Sequence, residues 1–225
     1  MKKNTSLLMH LIFALIVIIE LTGRLLDNIQ MEYAVKPLIM IWIAVYFLRN
    51  KQKTVFTVPV LIAFFFSWLG DNFLMLSGKN ELLFFAGVGA FFFAQLTYIF
   101  IYTKYGENGK KGYVQKNPWI SIFFLAYIAG MLVLLLPGME GIMKPIIAVY
   151  ALSLIAMSMM ALNRSGRVGD SSFKLVFVGS LLFLLSDSMI AFNKFHSAIP
   201  LAGFLIMLTY ISAQYLILRG LILEK

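Results

Sequence analysis

Five ionisable side chains stand inside or at the ends of otherwise apolar stretches: Glu20, Lys36, Asp71, Lys144 and Asp187. An ionisable group in hydrocarbon is costly, so those that occur generally face a partner or a polar cavity. Carboxylates can serve as general acids and bases, and lysines can meet an anion as point charges. Neighbouring carboxylates in a dry cavity cannot all ionise. At least one of Glu20, Asp71 and Asp187 would then stay neutral, an outcome that the two lysines oppose if they lie close. Gln95, Tyr98, Tyr150, Tyr210 and Gln214 are softer polar groups that can line the same space or simply bond across packed helices. Each charged group also has a structural reading. Lys36 and Lys144 can snorkel to an interface, the two aspartates can be their partners, and Glu20 can pair locally with Arg24.

Other chemistries find no residues. The chain has no Cys and two His, His10 and His196, near opposite ends. A zinc site of the usual composition and a Ser-His-Asp triad are both disfavoured, and no phosphate-binding glycine loop or dinucleotide fingerprint occurs. No metal or cofactor is expected, and if the protein is an enzyme its carboxylates carry the reaction.

The elements that position these groups follow from composition. Of 225 residues 61% are hydrophobic and 13% charged, with mean hydropathy +0.88, far from the charge content of ordinary soluble domains. The fold class is all-α, a single polytopic membrane domain over 1–225. Eight apolar runs, at 6–25, 33–48, 56–76, 82–103, 118–136, 142–162, 173–193 and 198–222, are each long enough for a membrane helix or nearly so. The first carries Glu20 and no small-residue cleavage site, so it reads as a retained span rather than a signal peptide. Eight spans put both termini on one side, and 14 of the 19 Lys and Arg, among them Lys2, Lys3, Lys53 and Lys225, fall on that side. The positive-inside rule makes it cytoplasmic, so the net charge of +9 reads as topology and not as nucleic-acid binding. If the cell is bacterial, the expected location is the cytoplasmic (inner) membrane.

The chain repeats itself weakly. Lys36-Pro37, Gly70-Asp71 and Leu96-Thr97-Tyr98-Ile99 in spans 2–4 correspond to Lys144-Pro145, Ser186-Asp187 and Leu208-Thr209-Tyr210-Ile211 in spans 6–8. The pseudo-repeats run over about 1–105 and 118–225. Four spans per copy predicts parallel repeats related by an axis along the membrane normal. Lys36 then matches Lys144, and Asp71 matches Asp187, with each lysine in a helix's first turn. All five ionisable groups fall toward the non-cytoplasmic side, which predicts one polar cavity in the outer half of the bundle. On span 4, Gly87, Phe91, Gln95, Tyr98 and Tyr102 share a face, as do Gly203, Tyr210 and Gln214 on span 8.

With Lys36-Pro37, Gly70-Asp71 and Leu74, the Gly87, Phe91, Ala94 and Tyr98 positions, Gly179, Phe183 and Ser186-Asp187, then Tyr210, Ala213-Gln214 and Ile217, the chain resembles the YhhN-like membrane proteins along its whole length. Characterised members of that family are lysoplasmalogenases. The chain departs from the family pattern at Gln95, where His is frequent. The resemblance implies hydrolysis of a lysoplasmalogen's vinyl ether bond to a fatty aldehyde and glycerophosphoethanolamine or glycerophosphocholine. It makes a lysophospholipid the substrate and the bilayer the surroundings. Asp71 and Asp187 would divide the acid and base roles, as the carboxylates of glycoside hydrolases do, with Lys36 and Lys144 toward the phosphate. A proton-coupled transporter of a small anion or lipid, and a non-enzymatic membrane scaffold, are the readings from other classes.

Overall fold

The computed structural model describes residues 2–51, 56–104, 106 and 109–223, with side chains from residue 7 onward. Lys53 and Lys225, counted in the charge asymmetry, lie outside the described residues, as do the side chains of Lys2 and Lys3. In lipid every backbone polar group must be satisfied within its own segment, which selects helices for runs of this length. The described residues form α1 (Lys2–Leu25), α2 (Ile29–Asn50), α3 (Thr57–Leu76), α4 (Glu81–Lys104), the single turn α5 (Tyr113–Lys116), α6 (Ser121–Leu135), α7 (Met143–Leu162), α8 (Asp170–Phe195) and α9 (Ala202–Ile222). Short 3-10 turns, Pro118–Ile120 and Leu136–Gly138, extend α6 at both ends. With α6 counted together with these turns, eight helices among the described residues are long and apolar enough to cross a membrane. The protein is an integral, multi-pass membrane protein.

The apolar runs place the spans correctly but misjudge some ends. α2 begins at Ile29, four residues ahead of the run, because the Asn28 side chain accepts from the N–H groups of Gln30 and Met31. An N-cap of this kind starts a helix wherever it falls. Pro37 is consequently inside α2 rather than in its first turn, whereas Pro145 is in the first turn of α7. α9 begins at Ala202, four residues into its run: Leu201 is left-handed, with φ 56°, and the Asn193 side chain holds the Ile199 N–H at 2.9 Å.

The closest helix pairs are α3 with α4 and α8 with α9, and glycines make both possible. A Cβ on Gly70 would stand 2.5 Å from the Phe91 ring, and one on Gly87 would stand 2.7 Å from Leu74. A Cβ on Gly179 would meet the Ala213 carbonyl at 2.9 Å. Small residues at such crossings let backbones approach where dispersion is the main attraction.

Gly138 is the tightest of these positions: an added Cβ would lie 1.7 Å from the Phe195 carbonyl oxygen. The obstacle is backbone, which cannot rotate aside. Gly138→Ala is therefore expected to cost at least the ~1–3 kcal/mol of ordinary overpacking. Thermal unfolding in detergent should show a clear drop in Tm, and an unchanged Tm would contradict this packing.

Candidate active site

Asp187 lies on α8, eight residues before its last residue Phe195, and lines a narrow cavity of about 60 Å³ between α4, α6, α7 and α8. Leu154, Ile155, Leu184, Ile128, Phe84, Leu135 and Phe195 are among its apolar lining. Asp187 is the one carboxylate among the described residues lining it. The surroundings are otherwise almost wholly apolar, apart from Tyr127, Tyr150 and Ser188.

The carboxylate is oriented by its neighbours. The Tyr150 hydroxyl, from the second turn of α7, donates to Asp187 Oδ2, and Gln95 Nε2 reaches the same oxygen at 3.5 Å. Ser153 donates to Gln95 Oε1, which turns the amide so that its NH₂ faces Asp187. Both donors thus meet a single carboxylate oxygen. Gln95 acts here as a neutral, fixed donor.

Asp71 belongs to a second buried group. It lies on α3, five residues before the helix ends at Leu76, and its Oδ2 accepts from the Tyr210 hydroxyl at 2.7 Å. Lys36, 6% exposed despite its charge, interacts electrostatically with Asp71. Behind them Gln214 Nε2 donates to Ser67 Oγ at 3.2 Å and touches the Tyr210 oxygen at 3.4 Å, while Tyr98 donates to Gln214 Oε1 at 2.9 Å. These bonds tie α3, α4 and α9 together at one level. The single polar cavity expected from the repeat is therefore replaced by an apolar cavity holding Asp187 and a filled polar network holding Asp71. Phe91 borders both: it packs on Gly70 and on the Tyr210 ring, and it lines the cavity. Asp187 still feels the charge of Asp71.

The remaining candidates separate. Glu20 is fully buried and its Oε1 accepts from Arg24 Nε at 3.1 Å; Arg24 also pairs with Glu32. Glu20 thus has the local partner that its position near the end of α1 offers. Lys144 is exposed in the first turn of α7, away from Lys36, and the two lysines are not equivalent. The Asn28 cap places Lys36 two turns inside its helix, while α7 starts at Met143. Of the face expected on span 4, Gly87, Phe91, Gln95, Tyr98 and Tyr102 are all buried. Tyr210 and Gln214 are buried as well, whereas Gly203 is half-buried beside Arg24. Tyr127 and Ser188 went unremarked in the sequence. Ser188 follows Asp187 directly, but nothing local shows that Tyr127, 61 positions earlier, donates to it at 2.8 Å. Among the described residues no cluster of His, Asp or Glu is arranged to hold a metal ion.

Comparison with known proteins shows the family. The profile of the YhhN family matches residues 31–221. The chain is 31% identical over 131 residues to lysoplasmalogenase TMEM86B of Homo sapiens, covering 58% of this chain and 50% of that protein. It is 41% identical over 68 residues to lysoplasmalogenase TMEM86B of Sus scrofa, covering 30% of this chain and 26% of the relative. The matches thus span half or less of the curated relatives' length. No solved structure matches the chain significantly.

Proposed function

The chain belongs to the YhhN family, and on that premise we propose that it is a lysoplasmalogenase-like membrane hydrolase acting on the vinyl ether bond of a single-chain ether phospholipid. The observation that carries the reading is a lone, oriented carboxyl group lining a narrow and otherwise almost wholly apolar cavity within the bundle. Hydrolysis of a vinyl ether needs a proton on the alkene carbon remote from oxygen, which leaves an oxocarbenium ion. Water adds to that ion, loses a proton, and the resulting hemiacetal breaks its C–O bond to give aldehyde and alcohol.

Asp187 suits the first step. Tyr150 and Gln95 both donate to its Oδ2, so a proton carried by this acid sits on Oδ1. After transfer the same two donors support the carboxylate, which takes the proton from the incoming water and is reset. Asp71, whose charge Lys36 supports, is the standing anion of the pair and favours the cationic intermediate through space, an effect enlarged by low dielectric. Lys144 stands one turn before Ile147, which lines the cavity, and is our candidate for the lipid phosphate. Glu20 holds Arg24 and so braces the α1–α2 end of the bundle.

We further infer that both termini are cytoplasmic, from the distribution of Lys and Arg, which sets the aspartate end of the bundle toward the opposite face. The like packing of α3 on α4 and α8 on α9 supports the parallel-repeat reading. The location is the cytoplasmic membrane if the cell is bacterial.

Purified protein in detergent should release fatty aldehyde from a lysoplasmalogen and none from the saturated-ether analogue, as read by mass spectrometry. Folded protein that releases no aldehyde from the vinyl ether would overturn the assignment and turn attention to transport.

A further inference from the structure

The cavity beside Asp187 is bounded on one side by α6, whose attachment to the rest of the bundle differs from that of the other spans. Only 11% of its spanning window is buried, against 17–50% for the other seven, and Ile128 and Leu135 are its buried residues. These two, with Tyr127, Met131 and Leu132, are the α6 side chains lining the cavity. Opposite them on α8 are Leu184, Asp187, Ser188, Ile190 and Ala191.

The two ends of this seam are held differently. At the C-terminal end of α6, Gly138 sits against the Phe195 carbonyl with no space for a methyl group. His196 Nδ1 lies 3.2 Å from the Leu134 carbonyl. The 3-10 turn at Leu136–Gly138 and its Pro137 interrupt the helix at the same place, which makes a natural pivot. Further along, the Tyr127 hydroxyl donates to Ser188 Oγ at 2.8 Å, and the Ser188 hydroxyl donates in turn to the Leu184 carbonyl at 2.7 Å. Tyr127 is 40% exposed on the outer surface and also lines the cavity. A neutral hydrogen bond between membrane helices is weak, so this contact can open and close without disturbing the fold.

We propose that the seam between α6 and α8 is a lateral door through which a single lipid chain passes from the bilayer into the Asp187 cavity, with Tyr127 and Ser188 as its latch. The door itself follows from the cavity and its wall; the identity of the chain as that of an ether lysophospholipid rests on the hydrolase reading above. Swinging α6 outward about residues 136–138 widens the cavity on its lipid side. The chain then enters from the hydrocarbon without its methylenes crossing water.

The native chain has no Cys, so a Tyr127→Cys/Ser188→Cys double variant can be bridged specifically by a short, reducible bifunctional thiosulfonate. The probe is a radiolabelled saturated-ether lysophosphocholine, whose binding requires no chemistry. Association should be about tenfold or more slower in the bridged form than in the reduced form of the same protein, with full recovery on adding reductant. Unchanged association after bridging, or no binding by the reduced form, would overturn the door. Tyr127→Phe, which loses only the latch hydroxyl, should bind the probe faster than the native protein; slower binding would count against the proposal. The two readings fail separately. Bridge-sensitive binding with no aldehyde release from lysoplasmalogen in any form keeps the door and removes the hydrolase. Aldehyde release with bridge-insensitive binding does the reverse.

Discussion

Asp187→Asn should leave the protein folded and reduce aldehyde release by about 10²–10⁴-fold, the usual contribution of a positioned general acid. The substitution changes little in shape. An amide oxygen at position 187 can still accept from Tyr150 and Gln95, which now converge on Oδ2. The amide nitrogen, however, cannot supply a proton to carbon or recover one from water. Activity measured beside the unfolding midpoint separates the two effects: a normal midpoint with lost turnover is the expected pattern. Turnover within a few-fold of the native rate would show that another group delivers the proton. Ser153→Ala offers a milder companion, since it releases the Gln95 amide while leaving Asp187 in place.

The second large effect concerns stability. Lys36 is almost wholly buried, and its charge favours the ionised form of the buried Asp71, so removing the lysine takes that support from the carboxylate. Lys36→Met is expected to cost about 3–5 kcal/mol on that account. Adding Asp71→Asn should restore a substantial part of the loss, because the stranded carboxylate becomes a neutral amide that can still accept from Tyr210. Denaturant titration of the single and double variants in mixed micelles measures the coupling directly. Strictly additive losses would mean that the two charges do not support one another.

Much of the bundle was legible in the sequence because lipid imposes simple requirements. A run of apolar residues must be a helix, and an acid within it must have a reason to be there; both aspartates and the span 4 face from Gly87 to Tyr102 followed from those rules. What the sequence concealed was set by tertiary contacts and by caps. Lys36 and Lys144 share a Lys-Pro dipeptide, yet one is buried two turns inside α2 and the other exposed in the first turn of α7, a difference that neighbouring helices decide. The repeat suggested a single polar cavity, but Phe91 borders two different environments, and no spacing rule places a ring between groups on α3 and α8. The Tyr127–Ser188 contact joins helices whose apolar faces have almost no periodicity with which to orient them.

The polar network around Asp71 also bears on how the chain is made. Ser67, Asp71 and Tyr98 occupy α3 and α4, but Tyr210 and Gln214, which complete them, are on α9. Asp71 and Tyr210 are 139 positions apart. At ribosomal speeds of about 5–20 residues per second, the aspartate precedes its hydroxyl partner by roughly 7–28 s. Throughout that interval the nascent protein holds an acid, a tyrosine and a serine whose final partners have not been synthesised. Arrival of α9 therefore closes the assembly, and a chain that stalls before it leaves these polar groups without their final partners.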